Sequence, residues 1–273
     1  MPSYLDVSSL HNEAVNFKNA LAGFLLVITA IGAAATERIA LYTYYPDPPF
    51  AAGSEDSFTD TLAAWLTERS AGKYAFVPTQ VPRRRLEMMV KDPHWTGIVA
   101  WANPLWFGKD AEQRYSWTRP YMLDANLVVS LRANPVDFTS DQSLAGHKLG
   151  TVLGYTYPDL DLALRSGALS KEDSLSEFSN LLKLKGGRVD VAFLQASSVT
   201  YFKKKLPDFE AWAYLASKPR TVFTRRLFIR PGQPELLDFL NAQMSALVAD
   251  KTWRKRFGTC DVFAKDVSEG LCK

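Results

Sequence analysis

The sequence predicts an α/β fold with largely parallel sheets, because strand-like runs alternate with helical stretches along a 273-residue chain that is 47% apolar. A chain of this length can bury one large core or two modest ones. We expect strands at Ile39–Thr43, Tyr74–Pro78, Gly97–Trp101, Leu127–Leu131, Leu149–Leu153, Val189–Phe193 and Val222–Ile229. We expect helices, from apolar residues at 3.6-like spacing, at Ser57–Glu68, Arg84–Val90, Ser176–Leu184 and Glu235–Ala249.

The first strand ends in a stretch rich in aromatic residues and proline. Ile39, Leu41 and Thr43 alternate as in a half-buried strand, and the chain continues as YYPDPPF. Such a strand can deliver aromatic side chains to the edge of a cleft, where rings stack on a ligand and hydroxyls bond to it. The alternative is that these rings cap the core.

Two prolines mark further boundaries between elements. Pro82 precedes RRRLEMM, so we expect Arg84 near the N-terminal end of a helix. Pro158 can take the first position of another helix, which would place the backbone N–H groups of residues 155–157 at a helix N-terminus, where anions bind favourably. The alternative is an ordinary strand-to-helix turn with surface tyrosines.

An uncharged apolar segment lies near the start of the chain. Residues 20–35 read ALAGFLLVITAIGAAA, follow Lys18 and close with an A-x-A pattern that ends at Ala35. We interpret residues 1–35 as a cleaved secretory signal peptide. A membrane anchor is the alternative, but the run is shorter than the about 20 apolar residues that a spanning helix needs. Translation from Val15 is a further alternative.

The charge balance does not favour a nucleic-acid partner. The formal net charge is +3, from 32 basic and 29 acidic residues. The basic clusters that stand out are the short runs Arg83–Arg85 and Lys203–Lys205. A nucleic-acid-binding surface would carry a heavier basic footprint.

The cysteine and histidine pattern indicates a disulfide rather than a catalytic or metal centre. Cys260 and Cys272 form an even pair close together, and in an oxidising compartment such a pair most simply forms a disulfide. A metal pair is the alternative, but His94 and His147 lie far away in sequence. We therefore expect no metal, no cofactor and no nucleophilic triad.

Several short motifs follow one another in a fixed order between residues 39 and 257. They read YYPDPPF, FTDTLAAWL, VPRRRLEMMV, WTRPYM, LAGHKLGTVLGYTY, LKGGRVDVAF and FIRPGQPELLDFLNAQM. In this order, behind an expected signal peptide, they resemble the periplasmic solute-binding proteins of ABC importers, in the branch of polar amino-acid binders called family 3.

The resemblance implies a two-lobed fold of the type II periplasmic-binding class, in which each lobe is a mainly parallel sheet flanked by helices. Lobe 1 would be discontinuous, with residues 36–126 and 225–273, and lobe 2 would span residues 127–224. Two crossing strands would act as a hinge. The solute would bind between the lobes and close them.

The resemblance also guides the choice of candidate ligand contacts. In amino-acid binders of the family, an arginine after the strand that here reads GIVAW clamps the ligand carboxylate, whereas Arg114 lies too close to Trp117 to align with it. The aspartate that receives the ligand ammonium aligns with Gln195, which cannot supply a charge. We therefore expect an apolar, planar or sugar-like portion in the solute, with Arg84 or Arg114 available for a carboxylate. The candidate contacts are Tyr44, Tyr45, Phe50, Arg84, Trp101, Asn103, Arg114, Tyr155, Thr156, Tyr157 and Gln195.

The family resemblance implies a binding function without chemistry. The expected role is that of a periplasmic, monomeric receptor that passes a small solute to the membrane permease of an ABC importer. One alternative is a solitary sensor that reports the solute to a membrane receptor. The other is a dehydratase on the same scaffold, which needs a general acid in the cleft, and the loop FLQASSV after Asp190 offers no carboxylate.

Overall fold

The computed structural model describes residues 35–257. The expected signal peptide, apart from its last residue, and the expected disulfide between Cys260 and Cys272 lie outside the described residues. The strands are β1 (Glu37–Thr43), β2 (Tyr74–Gln80), β3 (Ile98–Ala102), β4 (Ser116–Trp117), β5 (Met122–Leu131), β6 (Lys148–Val152), β7 (Ser170–Ser174), β8 (Val191–Gln195), β9 (Ala213–Leu215) and β10 (Thr221–Ile229). The helices are α1 (Phe58–Arg69), α2 (Arg83–Met89), α3 (Ala111–Arg114), α4 (Asp161–Ser166), α5 (Glu177–Lys185), α6 (Val199–Lys205), α7 (Phe209–Trp212), α8 (Pro234–Ala249) and α9 (Lys251–Phe257).

The described strands form one continuous sheet in the order β2-β1-β3-β10-β5-β8-β6-β7, with β4 paired to β10 and β9 to β5. β1 runs parallel to β2 and β3, and β6 runs parallel to β7 and β8. β5 and β10 run antiparallel to their neighbours. The predicted α/β class is therefore confirmed, in a mixed sheet whose parallel pairs lie on either side of the antiparallel crossing strands.

β5 and β10 join the two halves of this sheet. We call β1 to β4 with the end of β10 the first half, and β5 to β9 with the start of β10 the second half. Within β10, Arg226–Ile229 pair with β3 and β4, whereas Thr221–Arg225 pair with Met122–Asn126 of β5. The chain thus passes between the halves along two antiparallel strands. The boundaries expected for the lobes stay a prediction.

All the strands and helices predicted from the sequence are present, with shifts of a few residues at their ends, the largest being a start of β5 at Met122 rather than Leu127. One expected helix start is wrong: α4 begins at Asp161 and not at Pro158. A turn closes first, because the N–H of Leu160 donates to the carbonyl of Tyr157 at 2.9 Å. β7 was not predicted, because its sequence SKEDS is polar and pairs only along the sheet edge.

The helices bury leucines against both halves of the sheet. Ser57 caps α1, since its hydroxyl accepts from the N–H of Asp60 at 3.1 Å, and Leu62 and Leu66 of α1 are fully buried. In the second half, Leu181 of α5 is also fully buried. Within residues 35–257, no helix is long and apolar enough to span a membrane.

Gly97 allows β3 to lie close to β1. Its φ is +102°, and an added Cβ would lie 2.6 Å from Cε2 of Tyr42 and 2.8 Å from the carbonyl oxygen of Ala40. A side chain at this position would collide with the backbone of the neighbouring strand. The glycine therefore fixes the position of β3, which carries part of the site described next.

Candidate functional site

A cavity of about 860 Å³ opens where the two halves of the sheet face each other. The first half contributes Tyr44, Tyr45, Arg83, Asn103 and Trp106 to its walls. The second half contributes Tyr155, Thr156, Tyr157, Glu177, Phe193 and Gln195, and the start of β10 adds Phe223. A volume of this size suits a small organic molecule.

Aromatic side chains meet across the cavity. The rings of Tyr44 and Tyr45 are stacked at 4.4 Å between centroids, and Tyr155 from the opposite half stands edge-on to them, 6.2 Å from Tyr44 and 5.9 Å from Tyr45. Burial raises the pKa of all three hydroxyls above the ordinary value, so they are neutral donors and acceptors. These rings offer flat apolar surface with a polar edge.

Arg225 is the centre of a buried polar network beneath the cavity. It lies on β10 and is fully buried, and its guanidinium donates to Asp124 Oδ2 from Nε at 2.9 Å and from Nη2 at 2.7 Å. Nη1 donates to the Tyr45 hydroxyl at 2.9 Å and to the Trp101 carbonyl at 2.8 Å. Nη2 also donates to Oε1 of Gln195. One side chain thus bonds to both halves and to both crossing strands.

The charge of Arg225 is balanced within this network. Burial by itself lowers the pKa of the guanidinium, but Tyr45 and Asp124 outweigh that effect and raise it above its ordinary value. Asp124 is fully buried and also accepts from Ser197, from the hydroxyl at 2.7 Å and from the backbone N–H at 3.1 Å. The ion pair is therefore fully hydrogen-bonded, as a buried pair must be to persist.

Glu177 places a second carboxyl group at the cavity wall. It is 8% exposed and lies in the first turn of α5. Its Oε1 accepts from Nε2 of Gln195 at 2.9 Å. Burial raises the pKa of Glu177 to about 8, and the carboxylates of Asp47 and Asp124 contribute to the increase. The group is therefore a neutral acid at pH 7.

Asp47 reaches from the first half to the same helix. Its Oδ2 accepts from the backbone N–H of Phe178 at 3.3 Å, at the N-terminal end of α5. A carboxylate in this position satisfies a free backbone donor and interacts favourably with the helix dipole. Burial nevertheless raises its pKa. This hydrogen bond is a direct link between the two halves at the rim of the cavity.

Three arginines of the cavity wall are already paired with carboxylates. Two of the guanidinium groups also lie over rings, Arg83 over Phe107 at 4.0 Å and Arg220 over Phe193 at 4.7 Å. The pairs are Arg83 with Glu87, Arg220 with Asp159, and Arg226 with Glu112.

The structure brings seven of the sequence candidates to the cavity wall and places four elsewhere. The seven are Tyr44, Tyr45, Asn103, Tyr155, Thr156, Tyr157 and Gln195. Phe50 and Trp101 are buried in the core, where Nε1 of Trp101 donates to the Thr59 hydroxyl at 2.8 Å. Arg84 is exposed on α2, and Arg114 is exposed and paired with Asp110. Contact of any of these residues with a solute stays a prediction.

The expected anion seat at residues 155–157 has a different local structure. The N–H of Tyr155 donates to the carbonyl of Val152 at 3.0 Å, so it is already bonded within a turn. These residues precede the turn that leads into α4 rather than the helix itself. The turn of the alternative interpretation is therefore present, but Tyr155 and Tyr157 are half-buried at the cavity wall rather than on the surface.

Sequence reasoning missed Arg83, Glu177, Phe223 and Arg225. The helix start after Pro82 pointed to Arg84, but the preceding arginine is the one that α2 turns inward. A capping signal could have indicated Glu177, because Ser176 precedes it as the N-cap of α5. Among residues 35–257, no group of three or more His, Cys, Asp and Glu side chains could hold a metal ion.

Comparison with known proteins supports the fold. No protein-family model and no curated protein matches the chain. The chain is similar to an ancestral arginine-binding protein bound to arginine, with a TM-score of 0.65 and 18% identity over 85% of this chain and 98% of that chain. It is also similar to the substrate-binding protein of an amino acid ABC transporter, with a TM-score of 0.62 and 14% identity over 84% of this chain and 100% of that chain.

A third similar structure is an ancestral amino-acid-binding protein, a precursor of cyclohexadienyl dehydratase, with a TM-score of 0.60 and 18% identity over 82% of this chain and 94% of that chain. The TM-scores establish a common fold, and at identities this low the similarity extends to the fold alone. The two-lobed periplasmic-binding fold that the sequence motifs implied is therefore confirmed.

Proposed function

We propose that this protein is a periplasmic substrate-binding protein, which captures a small polar or aromatic solute between its lobes for an ABC-type importer. The observation that carries the proposal is the cavity of about 860 Å³ whose walls come from both halves of the sheet. A solute in such a cavity touches both halves at once, so its binding free energy favours the closed arrangement. The similar proteins named above include binders of arginine and a component of an amino acid transporter.

The crossing strands supply the mechanics of this proposal. Rotation of the lobes would be absorbed in β5 and β10, since these strands carry the chain between the halves. Asp47 and Tyr155 would form and break their contacts across the cleft during the same motion. Arg225 would hold the closed form, because it bonds to Tyr45 on one side and to Gln195 on the other.

The membrane partner would recognise the closed form of the protein. In the proposed role, a permease or a receptor sensor domain binds the outer surfaces that closure brings together, and the protein acts as a monomer. Delivery to the periplasm would use the expected signal peptide in residues 1–35. A permease partner agrees with the transporter context of one similar structure.

A thermal-shift screen tests the proposal. A ligand that binds only the folded state adds about 2.7 kcal/mol at 100 times its Kd, which raises the melting temperature of a domain of this size by roughly 5–10 °C. The panel would contain amino acids, amines, organic acids and sugars. We expect at least one class to produce such a shift. A panel without any shift would reject the solute-binding function.

Two tryptophan variants locate the binding site. Trp106→Ala removes a ring from the cavity wall, whereas Trp65→Ala removes a ring that lies on α1, beside Trp253. The first variant should weaken binding of whichever compound shifts the melting temperature, by about tenfold for the loss of one aromatic contact. The second should bind as the parent does. Equal affinities for both variants would place the site elsewhere.

A dehydratase remains a second candidate because of Glu177. This buried carboxyl is a neutral acid at the cavity wall, and a dehydratase on this scaffold needs such an acid to protonate the departing hydroxyl. Incubation with prephenate, with Glu177→Gln as the control, distinguishes the two functions. Turnover that the variant loses would establish the enzyme, and binding without turnover would leave the receptor.

A further inference from the structure

The carboxyl group of Glu177 lies at the cavity wall without a cationic partner. It is 8% exposed, and no lysine or arginine of the described residues lies within ion-pair distance of it. Its hydrogen bonds come from Gln195, whose Nε2 lies 2.9 Å from Oε1 and whose backbone N–H lies 3.4 Å from Oε2. The guanidinium of Arg225 donates to Oε1 of Gln195 and not to Glu177 itself. The carboxyl therefore has hydrogen-bond donors beside it but no opposite charge.

The arginines around the cavity are compensated by carboxylates. The three wall arginines pair with carboxylates as described above, and Arg225 pairs with Asp124. Glu177 is thus the buried ionisable group of the described wall that lacks an opposite charge. A buried carboxylate is stable only with a counter-charge, so the missing charge has to come from the ligand or the group has to keep its proton.

The surroundings of Glu177 explain why it keeps the proton in the ligand-free protein. Asp47 faces it from the loop after β1 and Asp124 from β5, and both are acidic. Tyr155 and Tyr157 face it from the loop after β6 with neutral hydroxyls. The N-terminus of α5 favours negative charge, but Asp47 already occupies a backbone donor there. Burial and like charges outweigh the helix dipole, so the pKa is raised to about 8.

We propose that Glu177 receives a cationic group of the solute, an ammonium or a guanidinium, and releases its own proton to solvent when the solute binds. This inference rests on the proposed binding function and names the solute class. The proton balance is simple: the protonated carboxyl and the cation give a carboxylate–cation pair and one free proton. The ring of Tyr155, which also faces the acid, can contact the same cation, whereas Arg83 and Arg225 already lie over the rings of Tyr44 and Tyr45.

The proposal fixes the pH dependence of binding. Below pH 8 the acid must lose its proton before the pair forms, so the affinity for a cationic solute rises about tenfold for each pH unit. Above pH 8 the carboxyl is already ionised and the affinity levels off. A solute without a cationic group would leave the proton in place and show neither effect.

Calorimetric titration with matched probes tests this. Tyramine and 3-(4-hydroxyphenyl)propionate share a phenol ring and carry opposite charges, and agmatine and L-arginine add a guanidinium. Titration at pH 7 in buffers of different ionisation enthalpy counts the protons released. We expect the cationic probes to bind with release of close to one proton, since a group with a pKa of about 8 is roughly nine-tenths protonated at pH 7.

Two variants test whether the released proton comes from Glu177. Glu177→Gln keeps the acceptor for Gln195 but cannot ionise, so proton release and the pH dependence should both vanish and the affinity for the cation should fall 10-fold to 100-fold. Glu210→Gln makes the same chemical change at an exposed residue of α7 and should titrate as the parent does.

The outcomes distinguish this inference from the proposed function. Binding of the propionate in preference to tyramine would overturn the cation assignment and leave the receptor function intact. Tyramine binding without proton release, or with release that persists in Glu177→Gln, would overturn the role of Glu177. Failure of every probe, together with the wider panel of the thermal-shift screen, would remove the receptor function itself.

Discussion

Replacement of Glu177 by Gln should stabilise the protein, and the gain should increase with pH. In the folded protein the pKa of this carboxyl is raised to about 8, against an ordinary value of 4.5. Between these values the folded state binds more protons than the unfolded state, so the stability of the parent falls as pH rises from about 4.5 to about 8. Glutamine resembles the protonated acid and carries no such penalty.

The size of this gain in stability follows from the pKa shift of Glu177. One pKa unit corresponds to 1.36 kcal/mol, so a difference of about 3.5 units amounts to about 5 kcal/mol when the shift is fully expressed above pH 8. At pH 7, about 2.5 units above the ordinary value, the variant should be more stable than the parent by about 3 kcal/mol. At pH 4 the two proteins should have nearly the same stability.

Chemical denaturation of the ligand-free proteins at pH 4, 5, 6, 7, 8 and 9 measures this difference directly. The other titrating groups are common to both proteins and cancel in the comparison. Glu210→Gln is the control, because the pKa of the exposed Glu210 is lowered by Lys203 and its replacement should bring no gain at high pH. The reasoning would be refuted if the stability difference between Glu177→Gln and the parent did not change with pH, or if it moved in favour of the parent between pH 4 and pH 8.

Three further substitutions test other parts of the structure. Asp124→Asn leaves the buried Arg225 without its counter-charge and should cost about 3–5 kcal/mol of unfolding free energy, measured by urea denaturation; a loss below 1 kcal/mol would contradict the buried pair. Gly97→Ala forces a Cβ against β1 at a positive φ and should lower stability by about 2–5 kcal/mol, whereas a change under 1 kcal/mol would show that the strands can separate. Asp47→Asn removes a negative charge that raises the pKa of Glu177. When Glu177→Gln is added to this variant, the gain in stability should therefore reach its maximum at a lower pH than when Glu177→Gln is added to the parent. A maximum reached at the same pH in both backgrounds would exclude the interaction.

Much of the fold could be predicted from the sequence, because buried strands and amphipathic helices carry their own periodic patterns. The runs at Ile39–Thr43 and Val222–Ile229 are apolar enough to be recognised as strands. β7 could not be predicted, since its polar residues are stabilised by pairing with β6 rather than by burial. The start of α4 was misplaced because a proline can open a helix or a turn equally well, and the hydrogen bond of Leu160 decides for the turn.

The site was less accessible to prediction, because its decisive contacts are long-range. Tyr45 bonds to Arg225 across 180 positions, and Gln195 to Glu177 across 18. No local pattern shows which arginine of RRRLEMM turns inward. Trp101 was chosen as an aromatic residue at a strand end, but the chain turns its indole into the core toward Thr59. The pKa of a carboxyl group depends on its neighbours in space, so the capping pattern could place Glu177 at a helix start but could not show that it is a buried acid.

The placement of β10 between β3 and β5 has a consequence for the order in which the protein can fold. During synthesis, β1, β2 and β3 are complete long before Thr221–Ile229 exist, so the inner edge of β3 stays unpaired while more than half of the described chain is made. An open strand edge of this kind invites pairing with other chains. The second half can pair β5 with β8, and β8 with β6, in the meantime. The first half therefore keeps an open strand edge until β10, the last strand in the sequence, joins both halves.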